Sequence, residues 1–137
     1  MLPRILCPEQ LQGFRLAEAD HCRLALLNRP GEGPCTLFLE IHDACDRVPP
    51  HAHHHAAELF FVLRGTVIFH VGERAIHARG GDCVVVPEET LHDLENPGPE
   101  RAYLLTLLSG DDGFAAALQQ GIPTPLDHDD LAVLRNL

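Results

Sequence analysis

The chain has 137 residues, and its 20 acidic against 10 basic side chains give a formal charge of −10. This length suits one domain, and so negative a surface disfavours nucleic acid and anionic membranes as partners. The absence of lysine excludes Schiff-base and P-loop chemistry, and the single serine, Ser109, lies outside a G-x-S-x-G sequence, which argues against a serine hydrolase.

Short apolar segments separated by turns fill most of the chain. After an apolar run at 24–27, the segment 36–42 alternates, with Leu37, Leu39 and Ile41 on one face and polar residues on the other, which predicts a half-buried strand. The pair Pro49-Pro50 is expected to break the chain before a histidine-rich stretch. Further strands are predicted at 58–63, 66–71, 74–78, 83–86, 91–94 and 103–108. Turn signals that recur every ~8–12 residues are typical of an antiparallel sandwich or barrel.

The tail after residue 110 has a different character, which predicts two short helical segments. Asp111 and Asp112 precede a predicted helix over 114–120, and Asp127 or Asp129 precedes a final helical turn. We expect these elements to pack on the barrel or to form a homodimer contact. The apolar residues that motivate the dimer are Phe114, Leu118, Leu131 and Leu134.

The cysteines and the apolar segments predict where the protein resides. Five widely spaced cysteines without a C-x-x-C pair are typical of free thiols in a reducing compartment. The first residues lack the apolar core of a signal peptide, and the longest apolar stretch, 103–108, is far shorter than the ~20 residues of a spanning helix. We therefore expect a cytoplasmic protein that does not contact a membrane.

Histidine is the unusual residue type, with ten copies in the chain. His51 and His53 are two positions apart on an extended segment, so both side chains point to the same face. Two imidazoles on one face at the end of a strand are half of a site for a divalent metal. Glu58 opens the next strand, and a loop or bulge must intervene to bring its carboxylate to that face.

Two spaced motifs resemble those of the cupin family. The first reads His51-x-His53-x4-Glu58-x6-Gly65, and the second reads Gly81-x5-Pro87-x4-His92-x3-Asn96. The stretch from 36 to 108 is similar to single-domain bacterial cupins of the RmlC-like superfamily, and 49–63 looks most like quercetin-dioxygenase-like small cupins. The sequence departs from the family pattern at two turn positions where a glycine is usual, since it has Cys45 and Glu89 there.

The resemblance implies an all-β fold, a double-stranded β-helix or jelly-roll barrel over about 36–108. The short C-terminal helices, at about 111–137, complete a single cupin domain over 1–137. The resemblance also implies one divalent transition metal inside the barrel, bound by His51, His53, Glu58 and His92. Three imidazoles and one carboxylate suit Fe, Mn, Ni, Co, Cu or Zn rather than Ca or Mg.

The surroundings of this site are predicted from residue alternation. Phe60 and Val62 alternate with Glu58 and, together with Phe69, are expected as walls of a pocket. His55 is a candidate to form a hydrogen bond with a metal ligand and so hold that ligand in position. The strand and turn histidines outside the motifs, His42, His70 and His77, are interpreted as ordinary structural residues.

The leading functional hypothesis is a metal-dependent oxidoreductase of the dioxygenase type, acting on a small oxygenated organic substrate. Four protein ligands on an octahedral metal leave positions for substrate or O2, and Glu58 is the expected catalytic base. One alternative is a metal-assisted isomerase or lyase on a sugar-like or keto-acid substrate. The other is a non-enzymatic cupin that binds or senses a small ligand.

Overall fold

The computed structural model describes residues 2–111 and 113–137, which form mainly β-strands. A 3₁₀ helix at Pro8–Gln10 comes first. The strands of the described residues are β1 Phe14–Arg15, β2 Arg23–Leu26, β3 Thr36–His42, β4 Arg47–His51, β5 Glu58–Arg64, β6 Thr66–Val71, β7 Arg74–Arg79, β8 Cys83–Val86, β9 His92–Glu95, β10 Ala102–Leu108 and β11 Ile122–Pro123. The helices are α1 Phe114–Gln119 and α2 His128–Arg135.

The strands form two antiparallel sheets that face each other. The larger has seven strands in the order β11-β1-β2-β3-β10-β5-β8, and the smaller has four in the order β4-β9-β6-β7. From β3 to β10 the chain crosses between the two sheets at every step except the β6–β7 hairpin, as in a jelly roll. The predicted all-β barrel with short C-terminal helices is confirmed.

The core between the sheets follows from the alternation of side chains along the strands. In β5, Glu58, Phe60 and Val62 are buried, whereas the side chain of Phe61 between them is 41% exposed. Because successive strand residues point to opposite faces, this pattern places the first three side chains inside the barrel. Phe60 and Val62 join a buried apolar cluster whose other members are Val67, Phe69, Ala78, Val84, Val86, Leu94, Ala102 and Leu104.

Strand β3 differs from the half-buried strand that its alternation predicts. It is buried on both faces, because Leu39 and Ile41 pack beneath α2 on the outside of the sheet. The polar face, which carries Glu40 and His42, is therefore turned to the barrel interior. The barrel interior therefore contains a carboxylate and an imidazole from β3.

Strand β4 contains Pro49 and Pro50, although this pair is expected to interrupt a strand. The two prolines are accommodated because β4 is an edge strand, where missing N–H groups need not bond to a neighbour. The pairing of β4 with β9 shifts register between Val48 and His51. The strand therefore continues to His51 and delivers this imidazole to the barrel interior.

The tail packs on the barrel of its own chain. Leu118 is fully buried, and the Phe114 ring lies 4.6 Å from the Phe38 ring between centroids. Asp127 caps α2 as predicted, by accepting a hydrogen bond from the Asp130 N–H. Asp111 accepts a hydrogen bond from the N–H of Ala115, the second residue of α1. The other predicted cap, Asp112, lies outside the described residues.

Phe114, Leu118 and Leu134 thus pack against residues of their own chain, so these three do not form a free apolar face for a dimer. Within the part of the chain that the structure describes, no helix is both long and apolar enough to cross a membrane.

Candidate metal centre

Four side chains of the predicted ligand set lie together at one end of the barrel interior. His51 ends β4, His53 follows in the loop, Glu58 begins β5, and His92 begins β9 directly opposite His51. One donor atom from each residue lies within 4.8 Å of the others. Glu58 Oε2 is 2.6 Å from His53 Nε2 and 3.5 Å from His92 Nε2.

Backbone carbonyls set which nitrogen of two imidazoles faces the cluster. His51 Nδ1 is 2.9 Å from the carbonyl oxygen of Pro49, and His92 Nδ1 is 2.8 Å from that of Thr90. A carbonyl can only accept, so each Nδ1 carries the proton and each Nε2 keeps its lone pair. This arrangement of a fixed imidazole with a free nitrogen is the one that metal-ligating histidines use.

The burial of the cluster tests whether a metal fits. Glu58 and His92 are buried, and neither Glu58 Oε2, despite its 2.6 Å contact with His53 Nε2, nor His92 Nε2 makes a hydrogen bond of good geometry to a described residue. A buried carboxylate oxygen and a buried imidazole nitrogen without partners are costly, by about 1–3 kcal/mol each, unless something else binds them. A cation shared by their lone pairs would satisfy both, so the residues fit a transition metal.

The electrostatics of the metal-free cluster couple the carboxylate to the imidazoles. Burial alone raises the pKa of Glu58, but the imidazoles of His53 and His92 lower this pKa below its usual value. Burial lowers the pKa of His92, and Glu58, the Thr90 carbonyl and the charge of Glu40 raise it by more, so the pKa of His92 lies above its usual value. The carboxylate is therefore ionised at neutral pH and available as a ligand or a base.

Both departures from the family pattern keep the backbone that glycine would adopt. Cys45 has φ of 65° and Glu89 has φ of 60°, and among the described non-glycine residues these two alone have positive φ. The Cys45 N–H donates to the carbonyl of Asn96 at 3.0 Å, and the Glu89 N–H donates to the carbonyl of His53 at 2.7 Å. The turns thus retain their shape, and the Glu89 turn holds the loop that carries His53.

The cluster opens onto a cavity of about 980 Å³, which His51, His53 and Glu58 help to line. Phe60 also lines this cavity. Val62 and Phe69 do not, because they lie deeper in the core, where the Phe69 ring packs 4.8 Å from the Phe60 ring that covers it. His55 is also placed differently from the prediction, since the chain bends at 54–55 and leaves it exposed outside the cluster.

A second polar cluster lies on the wall formed by β2 and β3, where His42 was expected to be an ordinary structural residue. Its members are Cys22, Glu40 and His42, of which His42 is fully buried. Burial lowers the pKa of His42, but Cys22, Asp46 and Glu40 raise it well above the usual value. Burial raises the pKa of the Cys22 thiol. The spacing of Glu40 and His42, two apart on one strand, was the signal that could have found the pair.

A family model described as Cupin domain matches residues 38–108, more than half of the chain. The chain belongs to the cupin family. Within this cupin, the matched region contains both motifs and all four residues of the candidate metal centre. The finer likeness to quercetin-dioxygenase-like cupins stays a prediction.

Known proteins resemble this cupin in sequence or in fold. Over 58 residues it is 38% identical to mannose-1-phosphate guanylyltransferase RfbM of Salmonella typhimurium, a match that covers 42% of this chain but only 12% of that enzyme. A predicted oxalate decarboxylase of Thermotoga maritima aligns with a TM-score of 0.69 and 16% identity, over 77% of this chain and 97% of that one. An oxalate oxidase aligns with a TM-score of 0.62 and 19% identity, over 72% of this chain and 55% of that one. At such identities the two structures show a shared fold alone.

Proposed function

We propose that this cupin is a metal-dependent oxidoreductase of the dioxygenase type that acts on a small oxygenated organic compound, with residues 1–137 forming a single cupin domain. The observation that carries the proposal is the cluster of three histidines and one glutamate, two of them buried and two partly buried, which opens onto a cavity of about 980 Å³. This volume is at the upper end of the ~300–1,000 Å³ usual for small-molecule sites. A closed structural metal site would have no need of such a space.

In this proposal His51, His53, Glu58 and His92 hold one divalent transition metal. The metal supplies Lewis acidity for oxygen atoms of the substrate and, where it is redox-active, electron transfer to O2. The carbonyls of Pro49 and Thr90 hold the imidazoles of His51 and His92 in place before the substrate arrives. The chain therefore contributes a site that is already organised.

Glu58 is proposed as the catalytic base. Its carboxylate is ionised, buried and placed at the cavity wall, and Oε2, which lies 2.6 Å from His53 Nε2, makes no hydrogen bond of good geometry to a described residue. Such an oxygen can accept the proton of an enol or phenol hydroxyl group that enters the cavity. Phe60, two positions further along β5, supplies an apolar surface beside it for the carbon skeleton of the substrate.

The charge of the cavity wall narrows the class of substrate. Arg47 is the only lysine or arginine among the described lining residues. The carboxylates of the lining are Asp20, Glu40, Asp43, Asp46 and Glu58. An acidic cavity disfavours a small dianion and favours a neutral compound. We therefore propose a neutral enol, diketone or polyphenol rather than oxalate, although the two oxalate enzymes share the fold.

Oxygen uptake tests the proposal directly. Protein loaded with Fe, Mn or Ni is supplied with flavonols, catechols, β-diketones and enediols in an oxygen electrode. We expect at least one neutral compound to drive O2 uptake in the wild type, and Glu58→Gln to lose most of that uptake at equal metal content. Glu88→Gln is the matched control, since Glu88 is an exposed glutamate in the turn before His92 and does not line the cavity.

The other candidate functions give different results in the same assay. An isomerase or lyase converts its substrate without O2, so turnover under argon would replace the oxidoreductase proposal. A ligand-binding cupin turns nothing over but is stabilised by its ligand, by about 2.7 kcal/mol at a ligand concentration 100 times Kd. A raised melting temperature without Glu58-dependent turnover would therefore support the binding function.

A further inference from the structure

A second set of metal-ligating side chains lies on the wall formed by β2 and β3. Donor atoms of Cys22, Glu40 and His42 all lie within 4.8 Å of one another. His42 Nε2 is 3.7 Å from Cys22 Sγ and 3.5 Å from Glu40 Oε1. The His42 and Glu40 side chains are buried, and Cys22 is partly buried at the same wall.

Within the set, the contact between Cys22 Sγ and His42 Nε2 at 3.7 Å is a weak hydrogen bond, and it does not involve Glu40. His42 Nε2 has either one proton or one lone pair, yet it faces both a sulfur and a carboxylate oxygen. Its distance to the carboxylate is longer than the 2.7–3.2 Å of a good N–H···O bond. A cation placed between the three atoms would instead take one lone pair from each of them.

The distances from His42 Nε2 to the donor atoms of Cys22 and Glu40 match those around a tetrahedral metal, and the Cys22 and Glu40 donor atoms lie within 4.8 Å of each other. With Zn–S of about 2.3 Å and Zn–N or Zn–O of about 2.0–2.1 Å, donor atoms at neighbouring corners of a tetrahedron lie about 3.3–3.6 Å apart. The observed 3.5 and 3.7 Å are close to these separations. A thiolate, an imidazole and a carboxylate together suit a borderline-soft ion such as Zn²⁺.

Thr106 and Asp46 lie beside the proposed ligands, on the side away from the ion, and orient them. The Thr106 hydroxyl donates a hydrogen bond to Glu40 Oε2, so Oε1 is left to face His42. Asp46 Oδ2 lies 3.7 Å from His42 Nδ1, and both atoms are buried without a hydrogen-bond partner among the described residues. A carboxylate behind the imidazole of a metal-ligating histidine is the usual supporting arrangement.

The same residues could instead form a thiol nucleophile, in which Asp46 would orient His42 and His42 would activate the thiol of Cys22. The geometry argues against it, because Glu40 lies beside His42 on the side that faces the thiol. A carboxylate there disfavours the negative thiolate that such a nucleophile needs. The same carboxylate strengthens the attraction of the set for a cation.

We propose that Cys22, Glu40 and His42 form a second metal site for Zn²⁺ or a similar divalent ion, with Asp46 and Thr106 positioning the ligands. Cys22 and Glu40 line the same cavity as His51, His53 and Glu58. The fourth position of the ion therefore faces the cavity, where it binds water or a donor atom of a ligand. An ion there also offsets the excess of carboxylates on the cavity wall.

Cobalt distinguishes the two sites, because only the second contains sulfur. Metal-free protein is titrated with Co²⁺, and bound cobalt and the absorption spectrum are measured together. We expect about two ions per chain and a thiolate-to-cobalt charge-transfer band. Cys22→Ser should lose this band and about one ion, whereas His92→Ala should lose the other ion and keep the band.

Two further variants make the test specific. Cys45→Ser removes another thiol that lines the same cavity, and it should leave the band unchanged. Glu40→Gln keeps the shape of the wall and should weaken cobalt binding in the band-forming site, which covers the case in which Cys22→Ser folds poorly. A wild type without the band, or a band that survives in Cys22→Ser, would overturn the proposal without bearing on the site that contains Glu58.

Discussion

Replacing Glu89 with glycine should leave the protein as stable as before or make it more stable. Glu89 has φ of 60°, and its side chain is exposed in the turn between β8 and β9. The left-handed conformation costs a non-glycine residue about 1–2 kcal/mol, which glycine avoids. Glycine in turn loses about 0.5–1 kcal/mol through its greater freedom in the unfolded chain. The expected net effect of Glu89→Gly is a gain of roughly 0–1 kcal/mol.

The neighbouring residue provides a matched control for this change. Glu88 is exposed in the same turn and has the same charge, but it is not among the residues with positive φ. Glu88→Gly therefore brings only the entropic penalty of about 0.5–1 kcal/mol. The two variants should differ by about 1–2 kcal/mol in the free energy of unfolding, in favour of Glu89→Gly.

Urea unfolding of the metal-free variants, followed by far-ultraviolet circular dichroism, measures this difference, since the chain has no tryptophan to report by fluorescence. The Glu89 N–H that donates to the His53 carbonyl is retained in glycine, so metal affinity should not fall. Equal losses of stability in Glu88→Gly and Glu89→Gly would refute the reasoning from backbone strain. Cys45→Gly, at φ of 65°, extends the test to the second such turn.

Four other outcomes are expected. His92→Ala should lose most of the bound transition metal by elemental analysis, because one ligand of four is gone, whereas His77→Ala on exposed β7 should keep it. In metal-free protein, the lowered pKa of Glu58 contributes stability that is lost as pH falls below about 4.5, and the raised pKa of His92 contributes stability that is lost as pH rises above about 6.5. In metal-bound protein, stability should instead rise with pH in this upper range, because only neutral imidazole is a ligand. Melting curves with and without chelator should therefore diverge from pH 6 to 8, and parallel curves would count against the site. Phe60→Ala should destabilise by about 3–5 kcal/mol and the half-exposed Phe61→Ala by much less, and similar losses would contradict the assigned faces of β5. Light scattering at micromolar concentration should show a homodimer, for which exposed Phe61 and Val85 on the larger sheet now provide the apolar surface; a monomer would dismiss it.

The sequence predicted the strands well where one face of a strand is apolar and turns bracket it. The bounds predicted for β3, β6 and β8 agree with the structure. Gly or Pro residues lie on both sides of β6 and β8, and Pro34 precedes β3. The strand β4 was missed because Pro49 and Pro50 are unfavourable within a sheet, and only its position at the edge, a tertiary property, makes them acceptable.

The candidate metal centre illustrates what local patterns leave open. Residue parity places His51 and His53 together, but the approach of His92 depends on the pairing of β4 with β9. That pairing is not visible in local periodicity, and it was the resemblance to cupins that implied it. Glu40 and His42 were misread for a related reason, since a polar face is expected to meet solvent unless a helix such as α2 covers the opposite face.

Because the tail contributes to the cavity wall, we expect detachment of the tail to change the access of ligands to the cavity. Asp130 is fully buried in α2 and accepts hydrogen bonds from Arg23, Arg101 and the Tyr103 hydroxyl, so one carboxylate joins α2 to three side chains of the barrel, in addition to its apolar packing. When α2 detaches, these donors lose their acceptor together, and the segment opens as a cooperative unit. Phe114, at the start of the same tail, forms part of the cavity wall. Amide hydrogen exchange in α2 and the entry rate of bulky ligands would then report the same opening event.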